Sequence, residues 1–243
     1  MLNFGELKTD MGANQVCTLT RPGATRWSSH YSSFDRLIDM FGATCTVLEN
    51  TKNNGINNNI RGEAKWALQV MGNFEFVFIL QLMNEVLGIT HMLCQALQSK
   101  SQDILNAMHL IRSTKILHQY LRQDGCDKFL YIVLSFSEDH EINMSDMSAR
   151  YREGTSRSYQ QQNNTTVEHY YHFNIFNVVI DFQLMGLDTR FPYQKMELLT
   201  LSSALDPTNH FESFNIDDKC TLAKKFYPDD FIDIELSDLK GQL

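Results

Sequence analysis

The sequence predicts a mostly α fold, and three observations carry that prediction. Apolar side chains recur at three- and four-residue steps over long stretches. Turn-formers such as Pro22, Gly72, Gly125, Pro192 and Pro228 fall between those stretches, where a missing amide or a flexible backbone costs least. The alternation of strand and helix that marks a doubly wound sheet is absent.

Taken in order, residues 15–20 read as one short strand, with Val16 and Leu19 apolar and Thr18 and Thr20 β-branched, before Pro22-Gly23 forces a turn. Ser32 and Asp35 fit the spacing at which a hydroxyl and a carboxylate satisfy the first free amides of a helix. Phe34, Leu37, Ile38, Phe41, Cys45 and Leu48 then fall on one apolar stripe. The Asn-rich run 52–59, with Gly55, predicts an exposed loop.

Residues 63–98 predict two helices separated near Gly72-Asn73, the second apolar over most of its circumference and therefore central. Its most apolar stretch, 76–84, is bounded by Glu75 and Glu85, far short of the roughly 20 apolar residues of a bilayer span, so a core helix and no membrane partner are expected. Helices are predicted over 102–121 and 127–136, with Gly125 between them. Residues 138–166, with the run Gln160-Gln161-Gln162-Asn163-Asn164, are too poor in apolar side chains to offset the entropy of ordering them and read as a long polar, flexible connection. A helix over 167–191 follows the cap candidates Thr165 and Thr166 and is ended by Pro192; shorter ones are predicted at 196–205, 218–226 and 230–239.

Composition bounds the function. At 243 residues and 43% hydrophobic content the chain can bury a sizeable core. Its net charge of -8 gives no global basic field, so any DNA contact has to be local. Residues 201–243 hold nine acidic side chains against four lysines and should repel a phosphate backbone. Five cysteines without a C-x-x-C pair argue for reduced thiols and a nuclear or cytoplasmic setting. The first ten residues carry Glu6, Lys8 and Asp10 without an apolar run, which is not the pattern of a secretory signal.

The chain has neither phosphate-cradling glycine motif and no G-x-S-x-G nucleophile turn. His169 and His172, beside Glu168, could share a helix face as metal ligands, but an aromatic, His-rich helix start is equally what a half-buried interface uses, and no metal is assigned. Asp217-Asp218 and Asp229-Asp230 precede predicted helices, where carboxylates cap amides and meet the positive end of the dipole. Arg26-Trp27 offers a fork for phosphate and an indole for an unpaired base, although such a pair ahead of a helix is also a cation-π or packing pair.

The string Leu19-Thr20-Arg21-Pro22-Gly23-Ala24-Thr25-Arg26-Trp27-Ser28-Ser29-His30-Tyr31 resembles the T-R-W-S-S-H block of hAT-superfamily transposases, and residues 76–101, 147–182 and 196–231 resemble the same plant subgroup, the zinc finger MYM-type protein 1-like proteins. The resemblance implies an RNase H-like core whose three carboxylates hold two Mg²⁺ ions, interrupted by a large all-helical insertion. It implies that residues 1–27 are a remnant of that core with the R-W block, that 28–137 and 167–243 are the two parts of the helical insertion, and that 138–166 is the polar connection. The catalytic aspartates and glutamate, the zinc-binding DNA-recognition module and the dimerisation region are expected outside these residues, so no catalytic residue and no cofactor is assigned. Arg26 and Trp27 are the residues the resemblance brings to transposon-end DNA, where an unstacked base needs a stacking partner. Ala24 stands where the plant block carries an aspartate. The expected activity is weak DNA contact without turnover; the alternative is a domesticated helical module that binds protein partners in the nucleus through its apolar helix faces, motivated by 16 Phe and 9 Tyr.

Overall fold

A computed structural model describes residues 19, 27–99, 104–144, 146–151, 165–202, 205 and 215–231. These residues are mostly helical, and among them the only strand-like pairing is an isolated antiparallel bridge between Arg150 and Thr166. The short strand expected at 15–20 falls, apart from Leu19, outside the described residues, as does most of the helix expected at 230–239.

The helices are α1 (Trp27–Asp39), α2 (Phe41–Asn54), α3 (Asn58–Met71), α4 (Phe74–Leu97), α5 (Ile104–Asp124), α6 (Cys126–Asp139), α7 (Val167–His169), a π-helical segment (Tyr170–Phe176), α8 (Asn177–Arg190), α9 (Tyr193–Ser202) and α10 (Ile216–Phe226). The stripe expected from Phe34 to Leu48 is divided at Met40 between α1 and α2. Because α1 already begins at Trp27, Ser32 and Asp35 lie inside it rather than at its start, and Asp35 accepts a hydrogen bond from the Tyr31 hydroxyl. The loop expected over 52–59 is shorter: α2 runs to Asn54, and α3 starts at Asn58, capped by Asn57, whose side chain accepts from the Ile60 amide at 2.9 Å.

Two compact units divide the chain, Met1–Met92 with His118–Asp181, and Leu93–Leu117 with Phe182–Leu243. The first is built on aromatic packing. Phe78 on α4 is 1% exposed, its ring centroid lying 5.1 Å from Phe129 on α6 and 4.6 Å from Tyr171 in the π-helical segment. Phe129 in turn meets Phe176 at 5.2 Å, and Phe41 on α2 meets Phe136 on α6 at 5.1 Å. Offset and edge-on rings of this kind add to the burial of their area. Gly88 lets the Tyr31 ring lie against α4, since a Cβ there would sit 3.2 Å from it. Tyr31 also stacks on His91, centroids 4.7 Å apart.

By length and composition α4 could cross a bilayer. Phe74, Val77, Phe78, Leu80, Leu82 and Val86 along it are nevertheless buried against protein. Gly125 joins α5 to α6; a Cβ at this position would collide with the Leu121 carbonyl at 2.5 Å. After α6 the chain turns on Glu141, whose φ of 55° is the left-handed conformation that commonly follows a helix, and the Ile142 amide returns to the Ser137 carbonyl at 2.8 Å.

Thr166 caps the next helix through its side chain, which accepts from the His169 amide at 3.1 Å. Residues five apart then come to the same side, because in the π-helical segment the hydrogen bonds span five residues, as from the Asn177 amide to the His172 carbonyl. Tyr171 and Phe176 are therefore both buried in the same aromatic cluster.

The second unit packs Leu93, Met108, Ile111, Leu187 and Met196 together, with Leu97, Leu110 and Phe191 against them. Lys115 donates to the Phe191 carbonyl at 3.1 Å and pairs with Asp188 at 2.6 Å. Helix α10 is capped by Asn215, which accepts from the Asp217 amide at 2.9 Å; Asp217 and Asp218 occupy its first turn and Lys224 and Lys225 its last, both arrangements favourable to the helix dipole.

Candidate interaction surfaces

Arg26 lies outside the described residues, and Trp27 is described only as the first residue of α1, so neither side chain has a described position. His169 and His172 are placed. Their rings pack on Phe173, centroids 4.5 and 4.2 Å away, and His172 also meets Phe176 edge-on at 6.2 Å. Among the described residues no group of three or more His, Cys, Asp or Glu side chains is gathered for a metal ion. Both imidazoles therefore contact aromatic side chains of the same helix start.

Four cysteines are described, Cys45, Cys94, Cys126 and Cys220, all free thiols. Burial raises the pKa of Cys45 and Cys94, and that of Cys126 to about 11, with the Asp127 and Glu168 charges adding to the effect at Cys126. A thiol so disposed is a poor nucleophile at neutral pH.

What the structure does bring together is apolar surface facing solvent. In the first unit, Trp66 on α3 is 68% exposed and Ile79 on α4 is 42% exposed. With Gln69, Val70, Asn73, Glu75 and Phe76 they line a groove of about 410 Å³ where α3 hands over to α4. The turn that shapes it is local. Gly72 donates to the Leu68 carbonyl at 2.9 Å, ending α3, and the Asn73 side chain accepts from the Glu75 amide at 2.9 Å, opening α4. A second hollow of about 380 Å³ lies between α2 and α3 at Val47, Ile56 and Ile60.

In the second unit, Phe182 (69% exposed) and Met185 (58%) stand three residues apart on one side of α8. A pocket of about 400 Å³ is walled by Ile111, Phe191, Met196 and Leu201, with Arg112 and the Lys115–Asp188 pair among its polar groups.

Reading by apolar period places α3 but does not single out Trp66. The available signal is its setting, an indole between Lys65 and Gln69 with Gly62 and Glu63 one turn earlier, where the helix faces water. Comparison with protein-family models, with curated proteins and with solved structures returns no match for this chain.

Proposed function

We propose that this chain acts by binding rather than by turnover, as the helical region of a hAT-type transposase-derived protein that keeps a weak contact with transposon-end DNA through Arg26 and Trp27. The T-R-W-S-S-H block followed by further similar blocks at 76–101, 147–182 and 196–231 carries this reading. The mostly helical character of the described residues is compatible with the all-helical insertion of that family. Magnesium belongs to the complete family enzyme, and no residue here is assigned to it.

With a net charge of -8, binding should be salt-sensitive and confined to distorted or single-stranded ends. Fluorescence anisotropy with a hairpin-ended oligonucleotide tests this: the Arg26→Ala/Trp27→Ala double variant should lose most of the signal, and unchanged binding would remove the assignment. Reproducible nicking of the same oligonucleotide with Mg²⁺, abolished by a chelator, would overturn the reading of the chain as non-catalytic.

The second reading, a helical protein-interaction module working in the nucleus, draws its support from the exposed Trp66, Phe182 and Met185. Aromatic and Met side chains on a surface are the usual anchors of protein interfaces. A partner that co-purifies with the wild-type chain and is retained undiminished by the Phe182→Ser/Met185→Ser variant would argue against α8 as its seat.

A further inference from the structure

We propose that the groove between α3 and α4 is a docking site for a basic segment of a partner protein, in which an arginine side chain lies over the Trp66 indole and pairs with the Glu75 carboxylate. The inference rests on the second reading above and supplies the partner's chemistry and its seat. An indole 68% exposed leaves its apolar faces in water, a cost that a partner covering it would remove. Phe76 and Ile79 continue the apolar floor from α4, so the surface is concave rather than a lone protruding ring.

Charge decides what covers it. Glu75 lines the groove, and its carboxylate has no ion pair among the described residues. Glu63 stands one turn before Trp66 on the same side of α3 and is likewise unpaired there. The nearest cation in sequence, Lys65, is one residue from Trp66 and so about 100° round the helix. An indole with Glu75 in its groove and Glu63 one turn before it, neither ion-paired among the described residues, on a chain of net charge -8 favours a cation. Arginine fits better than lysine, because its flat guanidinium stacks on the ring while its edge meets the carboxylate. An acidic or purely apolar segment would leave one of these features unsatisfied.

The test uses the full chain and hexa-arginine amide, with hexa-lysine amide and hexaglutamate for comparison. Binding is followed by the indole ¹⁵N–¹H resonances, that of Trp66 being the one absent in Trp66→Phe. The Trp66 resonance should move on titration with hexa-arginine, less with hexa-lysine and not with hexaglutamate. Trp66→Ala and Glu75→Gln should each weaken hexa-arginine binding about three- to fivefold at low salt, as expected for an exposed cation-π contact or a groove-side charge pair. Glu138→Gln, which removes an exposed carboxylate on α6, should change it by less than about twofold, the level of diffuse attraction. Equal weakening by Glu75→Gln and Glu138→Gln, or a Trp66 resonance that stays still while the peptide binds, would overturn the proposal. Either result leaves the wider interaction reading standing, because the exposed Phe182 and Met185 on α8 support it independently of this groove.

Discussion

Replacing Phe78 by alanine is the severest single test of the aromatic packing in the first unit. The ring is 1% exposed and lies 4.6 Å from Tyr171, 5.1 Å from Phe129 and 6.3 Å from Phe74, centroid to centroid. Truncating a buried Phe costs about 3–5 kcal/mol in transfer and cavity terms. Three ring pairs, each contributing roughly 0.5–1.5 kcal/mol beyond area, place this site toward the upper end, at ~4–5 kcal/mol. Such a loss is a large part of the 5–15 kcal/mol that is typical of a folded domain. Phe78→Leu keeps much of the volume and loses only the ring geometry, so about 1–1.5 kcal/mol is expected. Urea unfolding followed by far-ultraviolet circular dichroism and by tryptophan emission, to which Trp27 and Trp66 both contribute, measures both. A Phe78→Ala unfolding free energy within about 1 kcal/mol of wild type, with an unchanged slope, would refute the reasoning, since removing a solvent-excluded ring costs more than that.

Further predictions concern local devices. Asn57→Ala removes the acceptor for the Ile60 amide and should cost about 1 kcal/mol by urea unfolding, whereas Asn57→Ser should cost a few tenths. Tyr171 is held neutral up to about 12, chiefly by burial, with the Glu75 charge adding to it. Below pH 10 the hydroxyl is protonated in folded and unfolded chains alike. Between about pH 10 and 12 the unfolded chain releases its proton first, so stability should fall with rising pH by up to roughly 2–3 kcal/mol, and Tyr171→Phe should not show that part of the fall.

Much of the helical framework was legible because it follows from period and punctuation. The division near Gly72-Asn73, the separation of α5 from α6 at Gly125 and the Thr166 cap all appear where side-chain chemistry places them. Ser32 and Asp35 misled because a capping spacing also occurs inside helices; there Asp35 serves the Tyr31 hydroxyl instead. Asn53 and Asn54 favour turns, yet they end α2 as its last residues, a preference overridden over a single turn of helix.

The surfaces were less legible. Exposure depends on which side of a helix finds a neighbour, and the apolar period does not carry that; the polar setting of Trp66 between Lys65 and Gln69 is the local sign that its indole faces water. For His169 and His172 the spacing left ligand and packing roles open, and only the position of Phe173 shows what their rings touch.

The π-helical segment has an implication for how this chain tolerates length changes. An α-helix turns about 100° per residue, so one residue inserted into a helix normally swings everything beyond it out of register. Tyr170–Phe176 already accommodates such an excess. Loss of one residue there, Asn174 for example, would let the segment close into ordinary α geometry. The residues after it would keep their direction, and Tyr171 would be carried away from Phe74 and Phe78. Read in this way, the widened turn sets the phase of a longer helix, fixing which ring from its first turns reaches the core.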